Sequence, residues 1–298
     1  MVQTRGGGMN LDELMLAPFS EYAFMQRALI GSVALSLSAC PIGVFLMLRR
    51  MSLAGDAMAH AILPGAAAGF ALFGLELLPM TMGGLVAGLI VALLAGAVSR
   101  LTLQREDASL AAFYLISLAL GVLLVSIKGS SVDLMHVLFG TVLALNNEAL
   151  YLIGAIAAIT LATLTVVWRA LVAECLDPLF LRSVSNTGPT VHFIFLILVV
   201  LNLVGGFAAL GTLLSVGLMI LPAAASRFWL TRVGPMCAAA VCIGALSSVA
   251  GLLFSYHLGI ASGPAIILTA GVFYLMSMVL GRRGLIATWV RPHRHRAA

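Results

Sequence analysis

FLMLRRMSLAGDAMAHAILPGAAAGF (residues 45–70) holds the end of one apolar run, two arginines, and the start of another. Within it Asp56 and His60 stand four residues apart at the mouth of the second run. Runs of this kind recur along the whole chain, each long enough to cross a hydrocarbon layer of about 30 Å. The 298 residues are 62% hydrophobic and only 9% charged, with a mean hydropathy of +1.13. A soluble domain would carry roughly 25% charged residues. A membrane β-barrel would instead show alternating segments of about ten residues. The composition therefore predicts an all-α polytopic membrane protein.

Nine apolar segments are expected at 27–48, 57–75, 79–101, 108–127, 148–170, 189–209, 211–229, 235–256 and 262–280. Basic residues orient them, because cytoplasmic loops hold arginine and lysine. With the N-terminus outside and nine crossings, 13 of the 16 basic residues fall on the cytoplasmic side. Only Arg5, Arg27 and Lys128 fall outside, so the expected topology is N-out and C-in. The net charge of +5 then belongs to membrane-facing loops, and no nucleic-acid partner is expected.

Three regions follow: an N-terminal outer or interfacial segment (1–26), a transmembrane domain (27–280) and a basic cytoplasmic tail (281–298). LDELMLAPFSEYAFMQ (11–26) has the pattern of an interfacial helix, and residues 1–23 lack the layout of a secretory signal. SSVDLMHVLFGTVLALNNE (130–148) reads as an interfacial or re-entrant segment on the outer side. ECLDPLFLRSVSNTG (174–188) is the longest internal cytoplasmic loop. Its Asp177-Pro178 is a helix-start signature, with a capping residue followed by proline at the first helical position. From this stretch alone a short surface helix and a plain solvated connector stay equally open.

No HExxH metalloprotease motif or phosphate-binding GxxxxGK[ST] loop occurs. A serine protease reading of Ser262 lacks a histidine in a later span. Cys40, Cys175, Cys237 and Cys242 have no ligand-like spacing and read as packing residues. Ionisable groups near membrane depth remain, and such groups mark function by default. Asp56 and His60, at i and i+4, share a helix face. Together they offer one oxygen and one nitrogen to a Zn²⁺, Mn²⁺ or Fe²⁺ ion. Two ligands suit an ion in transit, which must be held weakly enough to leave. A helix-start aspartate beside a hydrogen-bonding histidine is the competing reading. Asp133, His136 and His257 are weaker candidates for guiding a cation inward. His192 reads as structural, and the RPHRHR tail (291–296) as a metal-catching tract or a membrane-surface anchor.

Four stretches resemble the permease subunits of zinc, manganese and iron ABC importers, the ABC-3 family. They are RRMSLAGDAMAHAILPG (49–65), DLMHVLFG (133–140), LGTLLSVGLMILPAAASR (210–227) and GIASGPAIIL (259–268). The resemblance implies a homodimeric type II importer permease in the bacterial inner membrane, a transport subunit and not an enzyme. It implies a separate cytoplasmic ATPase and a binding protein on the outer face. No cofactor would be held permanently, and the metal would be cargo. The family's metal residues map onto Asp56 and His60, with zinc expected first and manganese or iron as alternatives. Leu176, Asp177, Pro178, Leu179, Phe180, Leu181 and Arg182 would contact the ATPase. Leu181, and Ser185 or Asn186, depart from the family's small residues there. An ion-coupled secondary transporter is the alternative of a different class; it would want protonatable groups near the bilayer midplane.

Overall fold

Leu218, inside a helix, shows how this chain meets the demand that backbone polar groups in lipid be satisfied internally. Pro222 has no N–H to give the Leu218 carbonyl, and Cys40 Sγ of another helix donates to that oxygen at 3.2 Å instead. The computed structural model describes residues 17–74, 76–128, 145–177 and 187–290, and every regular element among them is helical. In chain order these are α1 (Ala17–Glu21), α2 (Ala23–Leu48), α3 (Ala54–Phe73), α4 (Leu77–Leu101) and α5 (Glu106–Lys128). They continue with α6 (Asn147–Leu176), α7 (Gly188–Leu210), α8 (Thr212–Arg227), α9 (Val233–Leu258), α10 (Ser262–Leu280) and α11 (Leu285–Val290).

Each expected apolar segment falls on one of α2 to α10. Six of these, α2, α4, α6, α7, α9 and α10, are long and apolar enough to cross a membrane. The others, α3, α5 and α8, pack into the same bundle, and α8 with its 16 residues spans only about 24 Å. Two boundaries differ from expectation by more than three residues. The first span starts at Ala23 instead of 27, because Tyr22 alone breaks the run of helix from α1. The fifth continues through Glu174, Cys175 and Leu176, so the described edges of the following loop are Asp177 and Thr187.

The bundle is built around α2 and α7. The most apolar window of α2 is 72% buried and that of α7 61%, against 28% for α6 and α10. Helices α3, α4 and α5 pack together along one side, and α8, α9 and α10 along the other, with α6 against both central helices. Lipid supplies no hydrophobic drive between helices, so close contact depends on small residues. At the α3–α4 crossing Gly65 and Gly83 face each other so closely that a Cβ on either would strike the other's carbonyl. Asn202 of α7 donates at 2.8 Å to Thr160 of α6, both fully buried, and adds one polar tie.

Contacts divide the helix ends into two sets. Tyr22 lies against Tyr256, with ring centroids 5.7 Å apart, and Arg27 donates to the Leu145 carbonyl at 3.3 Å. At the opposite end Arg49 meets Cys175 and His192, which gathers the end of α2, the end of α6 and the start of α7.

Candidate functional site

Helix α2 stops at Arg49, and Arg50 follows in the left-handed region at φ 61°. The Arg50 N–H then bonds Met47 O at 3.1 Å and the Met51 N–H bonds Leu46 O at 2.9 Å. This is a Schellman ending, usually built on glycine. Met51 is buried beside it, and the Ala54 N–H returns to Met51 O at 3.0 Å as α3 begins. The turn is therefore short, closed by bonds from Arg50, Met51 and Ala54, and it fixes where α3 starts.

Asp56 lies in the first turn of α3 and His60 one turn further on. His60 Nε2 is 3.8 Å from Asp56 Oδ1, with side chains 37% and 64% exposed. That gap exceeds hydrogen-bonding distance. The competing reading of the pair finds no bond to rest on. The residue before α3 is Leu53, no side chain caps the helix, and His60 makes no hydrogen bond to another helix among the described residues. Instead the imidazole lies 6.3 Å, centroid to centroid, from Tyr114 on α5. Ser117, one turn along α5, donates to the Ala61 carbonyl at 3.0 Å and holds the two helices in register. Pro64 leaves the His60 carbonyl without its ladder donor, so α3 is free to bend just beyond the pair.

The face carrying both groups is uncovered in the single chain. Leu53 and Asp56 are exposed, and His60, Leu63 and Ala67 are half-buried at helical spacing, while Ala57, Met58, Ala61 and Ile62 on the inner side are buried. Among the described residues no three His, Cys, Asp or Glu side chains come together. Asp56 and His60 thus stand as a pair, with no third such side chain beside them among the described residues.

The other expected positions fare differently. Asp133 and His136 lie outside the described residues, as do Pro178, Leu179, Phe180, Leu181 and Arg182 and the RPHRHR tail. Leu176 is the exposed last residue of α6, and Asp177 caps it, its N–H bonding Ala173 O at 2.9 Å. His257 is exposed at the end of α9. His192 is only 3% exposed, in keeping with a structural role. Cys40 and Cys237 are buried as expected, Cys242 is exposed, and Cys175 departs from simple packing by accepting a hydrogen bond from Arg49. Sequence reasoning missed Tyr114 and the partners of Arg49. Tyr114 gives no local signal, because only the crossing of α5 over α3 brings it to the pair.

Small-residue helix crossings and six helices long and apolar enough to cross a membrane define a multi-pass membrane protein. Residues 21–281 match the family described as ABC 3 transport family, and the chain belongs to it. It is 33% identical over 260 residues to the manganese import system permease protein ScaB of Streptococcus parasanguinis, covering 87% of this chain and 91% of that one. It is 28% identical over 280 residues to the chelated iron transport system membrane protein YfeC of Yersinia pestis, covering 94% of each. Among solved structures, PsaBC from Streptococcus pneumoniae in complex with Fab superposes with a TM-score of 0.79 at 30% identity, over 90% of this chain and 96% of that one. Family membership sets aside the secondary-transporter alternative.

Proposed function

We propose that this chain is the permease of an ATP-driven importer that moves a divalent transition metal, with manganese as the cargo. The observation that carries the reading is the open face of α3. A carboxylate and an imidazole in a membrane helix are costly against lipid and face a water-filled path or another protein surface. A second copy of the chain set against this face would enclose such a path, which supports a homodimer. Metal–ligand bonds of about 2.0–2.2 Å bring the two ligand atoms to roughly 3.0–3.4 Å. The 3.8 Å gap closes to that by small rotations of both side chains.

The mixed oxygen and nitrogen set is compatible with zinc, manganese and iron, and affinity order alone does not select among them. The names of the relatives move the preference from zinc to manganese, with iron second. The rest of the reading follows the sequence. Nine crossings, with α8 the shortest, give the N-out, C-in topology in a bacterial inner membrane. The loop from Asp177 to Thr187 would meet a separate ATPase on the cytoplasmic side. A binding protein would deliver the ion from outside, and Asp133 and His136 are the candidates in the sequence for guiding it inward.

The test is ATP-dependent uptake into proteoliposomes holding the permease, its ATPase and its binding protein, with Mn²⁺, Zn²⁺ and Fe²⁺ in competition. Preferred Mn²⁺ uptake, lost in Asp56→Ala/His60→Ala with assembly intact, is the expected result. Normal uptake by that variant would return both residues to structural duty, and preferred Zn²⁺ uptake would restore zinc as cargo.

A further inference from the structure

Arg49 is half-buried where three helices end, and its guanidinium is engaged on each side. Nε lies 3.3 Å from Cys175 Sγ on α6, and Nη1 lies 2.7 Å from His192 Nδ1 on α7. The Cζ atom sits 4.7 Å from the centroid of the Phe195 ring, also on α7. Arginine can only donate, so His192 Nδ1 is the acceptor and the neutral ring carries its proton on Nε2. One turn further in, Phe45 of α2 packs edge-on against Trp168 of α6 at 5.4 Å and Phe195 at 6.4 Å, which braces the same three helices.

Cys175 is the penultimate residue of α6 and His192 the fifth of α7. They are the two roots of the loop between Asp177 and Thr187, so one guanidinium grips both ends of that loop. On its other side Arg49 runs into the bonded turn that sets the start of α3, with Asp56 in the first turn. Displacement of the loop roots therefore has a short route to Asp56 and His60, through Arg49 and the bonded turn that follows it. The charge also sits at the carboxyl ends of α2 and α6, where helix dipoles favour a cation. Nη2 is buried with no hydrogen-bond partner among the described residues. This donor is spare in the present arrangement and is free to bond a carbonyl when the helix ends shift.

We propose that Arg49 is the positioning residue through which movement of the α6–α7 loop reaches Asp56 and His60. The proposal rests on the reading of that loop as the ATPase contact. Lysine would not replace Arg49, because a single ammonium point lacks the planar fork that reaches a sulfur and a ring nitrogen together.

The experiment uses the complete complex in proteoliposomes and reads Mn²⁺ ions imported per ATP hydrolysed, with Mn²⁺ binding to the purified permease measured alongside. Arg49→Met keeps the apolar stem. It is expected to lower ions per ATP by about tenfold while hydrolysis continues and Mn²⁺ binding is retained. His192→Phe, which keeps the ring volume and removes the acceptor, is expected to move the ratio the same way. The double variant should be no worse than Arg49→Met, because the two residues act as one link. If Arg49→Met does not assemble, His192→Phe and Arg49→Lys carry the same expectation. A wild-type ratio in the assembled variants would overturn the proposal. Failure of the wild-type complex to import Mn²⁺, or normal import by Asp56→Ala/His60→Ala, would instead overturn the functional reading on which it rests.

Discussion

Substituting Gly65 by alanine adds one methyl group at the point where α3 and α4 cross. An ideal Cβ there would collide with the Gly83 carbonyl and lie 2.6 Å from Ala87 Cβ. Carbon atoms rest about 3.5–4.0 Å apart, so the helices must separate by about 1 Å. The obstruction includes backbone, which cannot swing aside as a long side chain can. Overpacking of this kind costs roughly 1–3 kcal/mol. Gly271 on α10 provides the control, since a Cβ there meets nothing within 4 Å. The assay is the fraction of permease eluting as a single species after heating in detergent, for wild type, Gly65→Ala and Gly271→Ala. At about 2–4 °C per kcal/mol, Gly65→Ala should lower the midpoint by about 2–12 °C, and Gly271→Ala should leave it near wild type. Equal midpoints for the two variants would refute the argument that backbone contact at Gly65 holds α3 in place.

Arg50→Gly should raise the heating midpoint slightly, because glycine adopts the φ of 61° without the crowding an arginine suffers there. A lower midpoint would mean that the Arg50 side chain itself stabilises the turn. Thr160→Val should cost about 1 kcal/mol by removing the acceptor of the Asn202 bond, within the range for polar ties between membrane helices. Thr160→Val/Asn202→Leu should recover part of that loss, because Asn202 Oδ1 already lacks a partner among the described residues and the pair together leaves none unmet. A double variant weaker than Thr160→Val alone would contradict this.

The sequence determined the helical class, the places of the apolar helices among the described residues, six of them long enough to cross a membrane, and the candidate pair. Each of these is a local property of the chain. Apolar run length sets what can lie in lipid, and a spacing of four places Asp56 and His60 on one face wherever the helix ends up. The helix-start proline at Pro189 and the capping Asn146, which accepts from Ala149 N at 2.8 Å, are equally local and mark where α7 and α6 begin. Only the tertiary structure decided which face of α3 stays open, that α2 and α7 form the centre, and that Tyr114 approaches His60. It also decided that Arg49, visible in the sequence as one more cytoplasmic arginine, binds two residues more than 120 positions away. In lipid every apolar helix surface is acceptable to solvent, so hydropathy cannot rank one face over another. The choice falls to glycine-sized gaps and a few polar bonds between helices, whose partners are distant along the chain and meet only when the bundle closes.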